Sequence, residues 1–235
     1  MVRYNIISSG SQGNAVILNG FVLVDCGVPY KQIAPYVPQL KLVLLTHIHG
    51  DHFCKRTLRR LAAERPTLRF GCCRWLVSPL VAAGVPERQI DVLRPRVMYG
   101  YGLCNVIPFE LTHNVPNCGY KVHFRNGKVI YATDTSNLNG VQAIGYDLYL
   151  IEANYTEEDI HRRIKEKRMA GEFAYEEQAL RNHLSAEKCT EFLLKNMRGN
   201  SVSVPMHVHV DKEAPNDSHR ENPSGGGQEA GGIAG

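Results

Sequence analysis

Residues 46–53 read T-H-I-H-G-D-H-F, so three histidines and an aspartate occupy the six positions His47-x-His49-x-Asp51-His52. Neutral imidazole and carboxylate are the ligands that zinc and similar first-row metals take. The cluster follows the apolar run Leu42-Val43-Leu44-Leu45, long enough for one buried strand and too short for a core helix. The ligands are therefore expected at the carboxyl end of a strand, where the chain leaves the core and side chains can converge. The competing reading is a polar turn, which would leave imidazoles each in need of a hydrogen-bond partner. A hydrolytic two-metal site needs about three further ligands. Thr112-His113-Asn114, Ala132-Thr133-Asp134-Thr135 and Asn182-His183-Leu184-Ser185 each fall at an expected element end. Any one of them alone reads as structural; jointly they stand where a site built at strand ends needs them.

The 235 residues suit one large domain, and 43% apolar content supplies a substantial core. Two apolar runs, Ala15–Leu18 and Phe21–Val24, flank Asn19-Gly20, a strong two-residue hairpin signal. A Pro-rich connector (Pro29, Pro35, Pro38) leads to the histidine-motif strand, and residues 55–65 read as a helix with Leu58, Leu61 and Ala62 on one face. A short strand at 68–71 and a helix from Trp75 to Ala83, stopped by Gly84, come next. Residues 92–133 read as successive strands, with Asn126-Gly127 marking a second hairpin. A buried strand at 148–151, a charged helix at 156–168, helical segments at 176–182 and 185–196 flanking His183, and a last strand near 202–210 complete the series. Strands in hairpins, then helices, with the mixture repeated, predict an α/β (α+β) fold in which two packed sheets are covered by helices: a four-layer αββα sandwich over residues 1–210. Residues 211–235 lose apolar periodicity, end in a Gly-rich stretch and are expected to be a disordered tail.

No run approaches eighteen apolar residues, so no membrane span is expected, and the N-terminus lacks the apolar segment of a signal peptide. The seven cysteines (26, 54, 72, 73, 104, 118, 189) contain no C-x-x-C pair and are odd in number. They read as reduced thiols, and the chain as cytoplasmic. Of these Cys54 lies two residues past His52, close enough to approach a metal. A net charge of +4 permits anionic partners without demanding them.

The order Asp25, His47-x-His49-x-Asp51-His52, His113, Asp134, His183 resembles the five motifs of the metallo-β-lactamase superfamily over roughly residues 1–210. The loop Ser8-Ser9-Gly10-Ser11-Gln12-Gly13-Asn14, with Val24-Asp25-Cys26-Gly27 and His183-Leu184-Ser185, is similar to the compact YycJ/WalJ-type branch, whose members are regarded as metal-dependent exonucleases or phosphodiesterases. The resemblance implies that His47, His49 and His113 hold one metal and Asp51, His52 and His183 a second. Asp134 bridges the two with a shared water, and Asp25 hydrogen-bonds a ligand imidazole and fixes its tautomer. The cofactors so implied are two divalent cations, zinc from the histidines, with manganese the alternative that the carboxylates admit. His207 matches a position that contacts the scissile phosphate or donates a proton to the leaving group. Asn114 stands where that branch often has an acidic residue. Only 48 residues separate Asp134 from His183, too few for the insertion of the larger nucleases.

Charge counting runs the same way. Two dications set against Asp51, Asp134 and one hydroxide leave about one positive charge, which favours an anionic substrate. Asp51 and Asp134 are the candidates to orient the attacking water. Lys55, Arg56, Arg59 and Arg60 form a basic stripe beside the motif that can follow a nucleic-acid backbone. Ser9, Ser11 and Asn14 are the candidate phosphate or base contacts of the glycine-bearing loop. A second basic run, His161 to Arg168, is offset by Glu157, Glu158 and Asp159 and reads as a solvated face. His207 and His209 alternate along the last strand and share one side. The expected function is a two-metal phosphodiesterase or nuclease acting on DNA or RNA. Two alternatives stand beside it: a small-molecule hydrolase for a lactone, thioester, β-lactam or cyclic nucleotide, and a non-catalytic protein with structural metals.

Overall fold

The computed structural model describes residues 1–208; His209, the rest of the expected last strand and the expected tail lie outside the described residues. The first half of the chain builds one six-stranded sheet from β1 (Tyr4–Ser8), β2 (Ala15–Leu18), β3 (Val22–Val24), β4 (Leu42–Leu45), β5 (Arg69–Cys73) and β6 (Ile90–Leu93), in that order. Three helices belong to it: α1 (Tyr30–Ile33), α2 (Lys55–Glu64) and α3 (Val77–Ala83). The second half builds another six-stranded sheet from β7 (Tyr99–Gly100), β8 (Cys104–Leu111), β9 (Asn117–Phe124), β10 (Gly127–Ala132), β11 (Leu148–Glu152) and β12 (Val202–Met206). Its helices are α4 (Glu157–Ala170), α5 (Glu176–Asn182) and α6 (Ala186–Asn196). Each sheet pairs antiparallel at one end and parallel at the other, the parallel parts being β3–β6 and β10–β12.

The short apolar runs explain the layering. In β4, Val43 and Leu45 face the helices α1–α3 while Leu42 and Leu44 face the other sheet, so the whole run is buried. In β10 and β11, Val129, Tyr131, Leu148 and Leu150 face the intersheet core, whereas Ile130, Ala132, Tyr149 and Ile151 pack under α6. Two sheets, each two-sided and each covered outside by helices, make the expected αββα sandwich. A small satellite core of Ile160, Ile164 and Ala174 joins α4 to α5. Among the described residues no helix is long and apolar enough to cross a membrane.

Local departures from the sequence reading have local causes. The Pro-rich connector is α1 followed by a 3-10 turn over Ala34–Gln39, because Pro35 enters at the start of that turn with its backbone angle already set. The second hairpin turns at Arg125-Asn126, one residue earlier than expected, and Gly127 opens β10. Asn19 (φ 49°) and Gly20 (φ 80°) are both left-handed, and Phe21 N–H closes that turn on Leu18 O at 3.2 Å. The strand expected at 68–71 runs on to Cys73, which puts Cys72 in the helix-side core and Cys73 in the intersheet core. All seven cysteines are free thiols.

One close approach sets the geometry of the site. The segment after β3 lies against the histidine loop: Cys26 N–H donates to His52 O at 3.0 Å and Cys54 N–H to Cys26 O at 2.8 Å. Asn14 N–H donates to Asp51 O at 2.6 Å, and Gly27 N–H to Asn14 O at 2.9 Å. A Cβ on Gly27 would stand 1.6 Å from Asp51 O, inside the atom itself. Gly27→Ala is expected to cost about 3 kcal/mol, since backbone and not a flexible side chain must give way. Gly50→Ala, where a Cβ meets nothing within 4 Å, is the control and should stay within about 0.5 kcal/mol. Urea unfolding midpoints of the two variants check the pair.

Candidate metal centre

The expected ligands each sit just beyond the carboxyl end of a strand or helix. Asp25 follows β3, His47 to His52 follow β4, His113 follows β8 and Asp134 follows β10; His183 follows α5 and His207 follows β12. Among the described residues five non-glycine residues have positive φ, and Asp25 (57°), Asp134 (58°) and His207 (51°) are three of them. Left-handed backbone at such residues costs on the order of 1 kcal/mol each. That strain turns the three side chains sharply out of their strands and into one place.

Hydrogen bonds on the far side of each ring fix which nitrogen is free. Thr46 Oγ1 donates to Asp25 Oδ1 at 2.9 Å, so its lone pair is left to accept from His47 Nδ1 at 3.0 Å. His113 Nδ1 can only donate to the carbonyl of Asn182, at 3.0 Å. His52 Nδ1 donates to Asp25 Oδ2 at 2.7 Å, and His183 Nδ1 to Glu152 Oε1 at 2.7 Å. The unprotonated Nε2 atoms of His47 and His113 then face His49 Nδ1 at 3.1 and 3.3 Å. Burial first, and the charge of the neighbouring His52 next, push His47 down to about 2, so it stays neutral at any working pH. Burial likewise lowers His113. The Nε2 atoms of His47 and His113 and the Nδ1 atom of His49 therefore meet at one point. Ligand nitrogens about 2.0–2.1 Å from a tetrahedral ion stand about 3.3 Å apart, so a divalent cation fits this donor set.

Two more clusters adjoin the first. His47, His52 and Asp134 converge within 4.8 Å, as do Asp134, Glu152, His183 and His207. Asp134 belongs to both: its Oδ2 is 2.9 Å from His52 Nε2, and His207 Nδ1 is 3.1 Å from each of its oxygens. Burial would raise the Asp134 carboxyl, but the neighbouring His52 and His207 outweigh it and hold it well below the usual carboxylate range. The same contacts raise His52 and His207 against the opposing effect of burial. Asp51 is partly exposed, with its Oδ2 3.6 Å from His52 Nε2, and falls outside the three clusters.

Glu152 was not among the expected residues. It is fully buried, accepts from Thr135 N at 2.8 Å and Leu184 N at 3.2 Å, and holds His183 by the bond above. Its signal was available: it closes the run Leu148-Tyr149-Leu150-Ile151 as Asp25 closes Val22–Val24, an acidic residue ending an apolar strand. Tyr131 is a second omission; its hydroxyl donates to Asp25 Oδ2 at 3.0 Å from the opposite sheet.

The expected substrate contacts divide. Lys55 and Arg56 are exposed at the start of α2, directly after the motif, with no ion pair among the described residues. Further along the stripe, Arg59 Nε donates to Ala83 O at 3.1 Å, and Arg60 pairs with Glu64 over the Tyr30 ring. Ser11 is exposed, while the Ser9 hydroxyl accepts from His207 N at 2.8 Å. Asn14 is fully buried and works as a clamp instead, its Nδ2 2.8 Å from His52 Nε2 and its Oδ1 accepting from Gly10 N at 2.9 Å. The second basic run is neutralised, with Arg162 on Glu166, Lys167 on Glu176 and Arg168 on Glu177. Cys54 bonds to Thr57, with Thr57 Oγ1 3.3 Å from its sulfur.

Glu152→Ala frees the His183 ring, and Asp25→Ala frees His52. Each is expected to weaken metal binding about 10- to 100-fold. Competition with a chromophoric chelator measures this directly.

A model of the beta-lactamase superfamily domain matches residues 21–208. Among solved structures, the metallo-beta-lactamase fold protein YhfI from Bacillus subtilis superposes with a TM-score of 0.67 at 14% identity, covering 88% of this chain and 86% of that one. Human tRNase Z, short form, does so with a TM-score of 0.62 at 16% identity over 88% and 92% of the two chains. Zn(2+)-bound PqqB from Methylobacterium extorquens gives 0.61 at 13% identity over 88% and 89%. No curated protein matches the chain in sequence. At these identities the structural likeness speaks for the fold, and the match over residues 21–208 for the family: the chain belongs to the beta-lactamase superfamily and has the metallo-β-lactamase fold.

Proposed function

We propose that the protein is a two-metal phosphodiesterase acting on nucleic acid. The observation that carries this reading is the sharing of Asp134 between two ligand clusters, which is what a pair of neighbouring cations requires. His47, His49 and His113 would hold one cation and His52, His183 and Asp51 the other, with Asp134 available to both. Bound there, zinc or a similar ion supplies Lewis acidity and water activated at neutral pH. The YycJ/WalJ-type loop and the likeness to tRNase Z favour a nucleic-acid phosphodiester over a lactone or thioester. Lys55 and Arg56 are placed to take a flanking phosphate.

Asp25 and Glu152 add two buried carboxylates behind the rings, so four carboxylates cancel two dications and the hydroxide takes the sum to about one negative charge. The residual positive charge expected from Asp51 and Asp134 alone is not available to select an anion. Selection falls to open coordination positions and to the exposed lysine and arginine at the start of α2.

His207 is the proton donor in this scheme. Its Nδ1 lies 3.1 Å from both Asp134 oxygens, so its ring stands beside the proposed metal pair, within reach of a departing oxygen. A strong leaving group needs little such help. His207→Ala is therefore expected to lower cleavage of DNA or RNA about 100-fold or more while largely sparing bis-p-nitrophenyl phosphate. Zinc-loaded and manganese-loaded protein, offered labelled single- and double-stranded DNA and RNA, that phosphodiester, and a lactone and thioester panel, test the whole reading. Asp51→Ala with His52→Ala is the inactive control. Ester hydrolysis without nucleic-acid cleavage would replace this reading with the small-molecule one.

A further inference from the structure

We infer that Asn117 is the positioning residue that holds Asp134 where two cations can share it, an inference that rests on the two-metal reading proposed above. Asn117 opens β9 opposite Leu111, the last residue of β8, so the connection that carries His113 closes on it. On its other side the β9–β10 ladder has its last pair at Tyr120 and Tyr131; continued by three residues, that register sets Asn117 opposite Asp134. The ladder stops short of this point, and the Asn117 side chain takes its place. Its Nδ2 donates to Thr133 O at 3.0 Å and to Asp134 O at 2.7 Å. Both hydrogens of the amide are thus taken up by the turn that presents the shared carboxylate.

Asn117 and Asp134 are each 2% exposed and Thr133 is fully buried, so bulk water cannot replace Nδ2 at either carbonyl. The Asn117 Oδ1 has no hydrogen-bond partner among the described residues, so the amide is buried at a cost, for its donor end. Asp134 needs that donor because its backbone is left-handed, at φ 58°, a conformation that an aspartate holds only against strain. Relaxation of the turn to ordinary φ would swing the carboxylate away from His52 Nε2, now at 2.9 Å, and His207 Nδ1, now at 3.1 Å. The hairpin is fastened to the same turn at its other end, where Thr112 N donates to Thr135 Oγ1 at 3.1 Å and Ser136 N to Thr112 O at 2.9 Å. His113, between the two fastenings, keeps its own anchor, Nδ1 on the Asn182 carbonyl. Loss of the Asn117 amide therefore leaves the His47, His49 and His113 rings in place and frees Asp134. The first cation keeps three imidazoles, and the effect falls on the second.

Metal titration tests this without turnover. Cobalt(II), which takes imidazole and carboxylate ligands, is added to metal-free protein, and its visible absorption and the equivalents bound are followed. The unaltered chain should take up two equivalents. Asn117→Leu, which keeps the volume and removes the donor, and Asn117→Ala, which the fold accommodates more readily, should bind the first equivalent within about threefold of the unaltered chain and the second about 10- to 100-fold more weakly. Unchanged affinity for both equivalents in either variant overturns the role of Asn117 and leaves the two-metal reading standing. Equal weakening of both equivalents, or loss of cooperative thermal unfolding in both metal-free variants, overturns it too, since the amide then serves the fold at large. One equivalent or none in the unaltered chain sinks the two-metal reading, and this inference with it.

Discussion

A single buried carboxylate, Asp25, joins the two halves of the molecule at the point where the chemistry sits. It accepts Thr46 N at 3.0 Å and Thr46 Oγ1 at 2.9 Å from the histidine loop, His52 Nδ1 at 2.7 Å, and the Tyr131 hydroxyl at 3.0 Å from the opposite sheet. An ion taken out of water is tolerable only when its lone pairs are answered in this way. Through Thr46 the same carboxylate fixes His47, and directly it fixes His52, so one residue sets the free nitrogen of two rings. The first sheet supplies the carboxylate and the second supplies a donor, and the seam between them is where the imidazoles converge.

The buried polar groups explain why strand ends and not strand interiors carry the site. Asp25, Asp134 and Glu152 each close an apolar run, and each would be an unanswered charge one or two residues earlier. At the carboxyl edge, turning backbone offers N–H groups to receive them: Thr46 for Asp25, Thr135 and Leu184 for Glu152. The left-handed turns at Asp25, Asp134 and His207 are the conformational cost of redirecting a side chain within one residue of the last ladder bond. Gly27 belongs to the same economy of space, since only a residue without a Cβ lets the segment after β3 touch the Asp51 carbonyl.

Much of this was legible beforehand, for physical reasons that differ by residue. The histidine motif is local, and four-residue apolar runs such as Leu42–Leu45 admit little but buried strands. The helix expected at 185–196 forms, with Ser185 as its cap accepting Lys188 N at 3.2 Å. Glu152 was missed because one acidic residue after an apolar run is common, and its partner His183 lies 31 positions away. Tyr131 looked like an ordinary strand aromatic until the opposite sheet placed Asp25 against its hydroxyl. Asn14 was read as a substrate contact because glycine-flanked amides often serve phosphates; the folded chain uses it to bind its own loop to the motif. In each case the missing contact is long-range in sequence, within one half of the molecule for Glu152 and Asn14 and between the two sheets for Tyr131.

The lone-pair geometry and the carboxylate count bear on reactivity together. Neutral imidazoles give up no charge to a cation, so the electrostatic character of the site is set by its acids. With Asp25 and Glu152 included, those acids cancel two dications, and long-range attraction for a polyanion is correspondingly weak. A centre of that kind must recognise its substrate by contact and not by field. Lys55 and Arg56, exposed at the start of α2 directly after the motif, are the proposed contacts. On that proposal specificity resides outside the metal motif, in α2, so the same ligand set can serve different substrates when that helix changes.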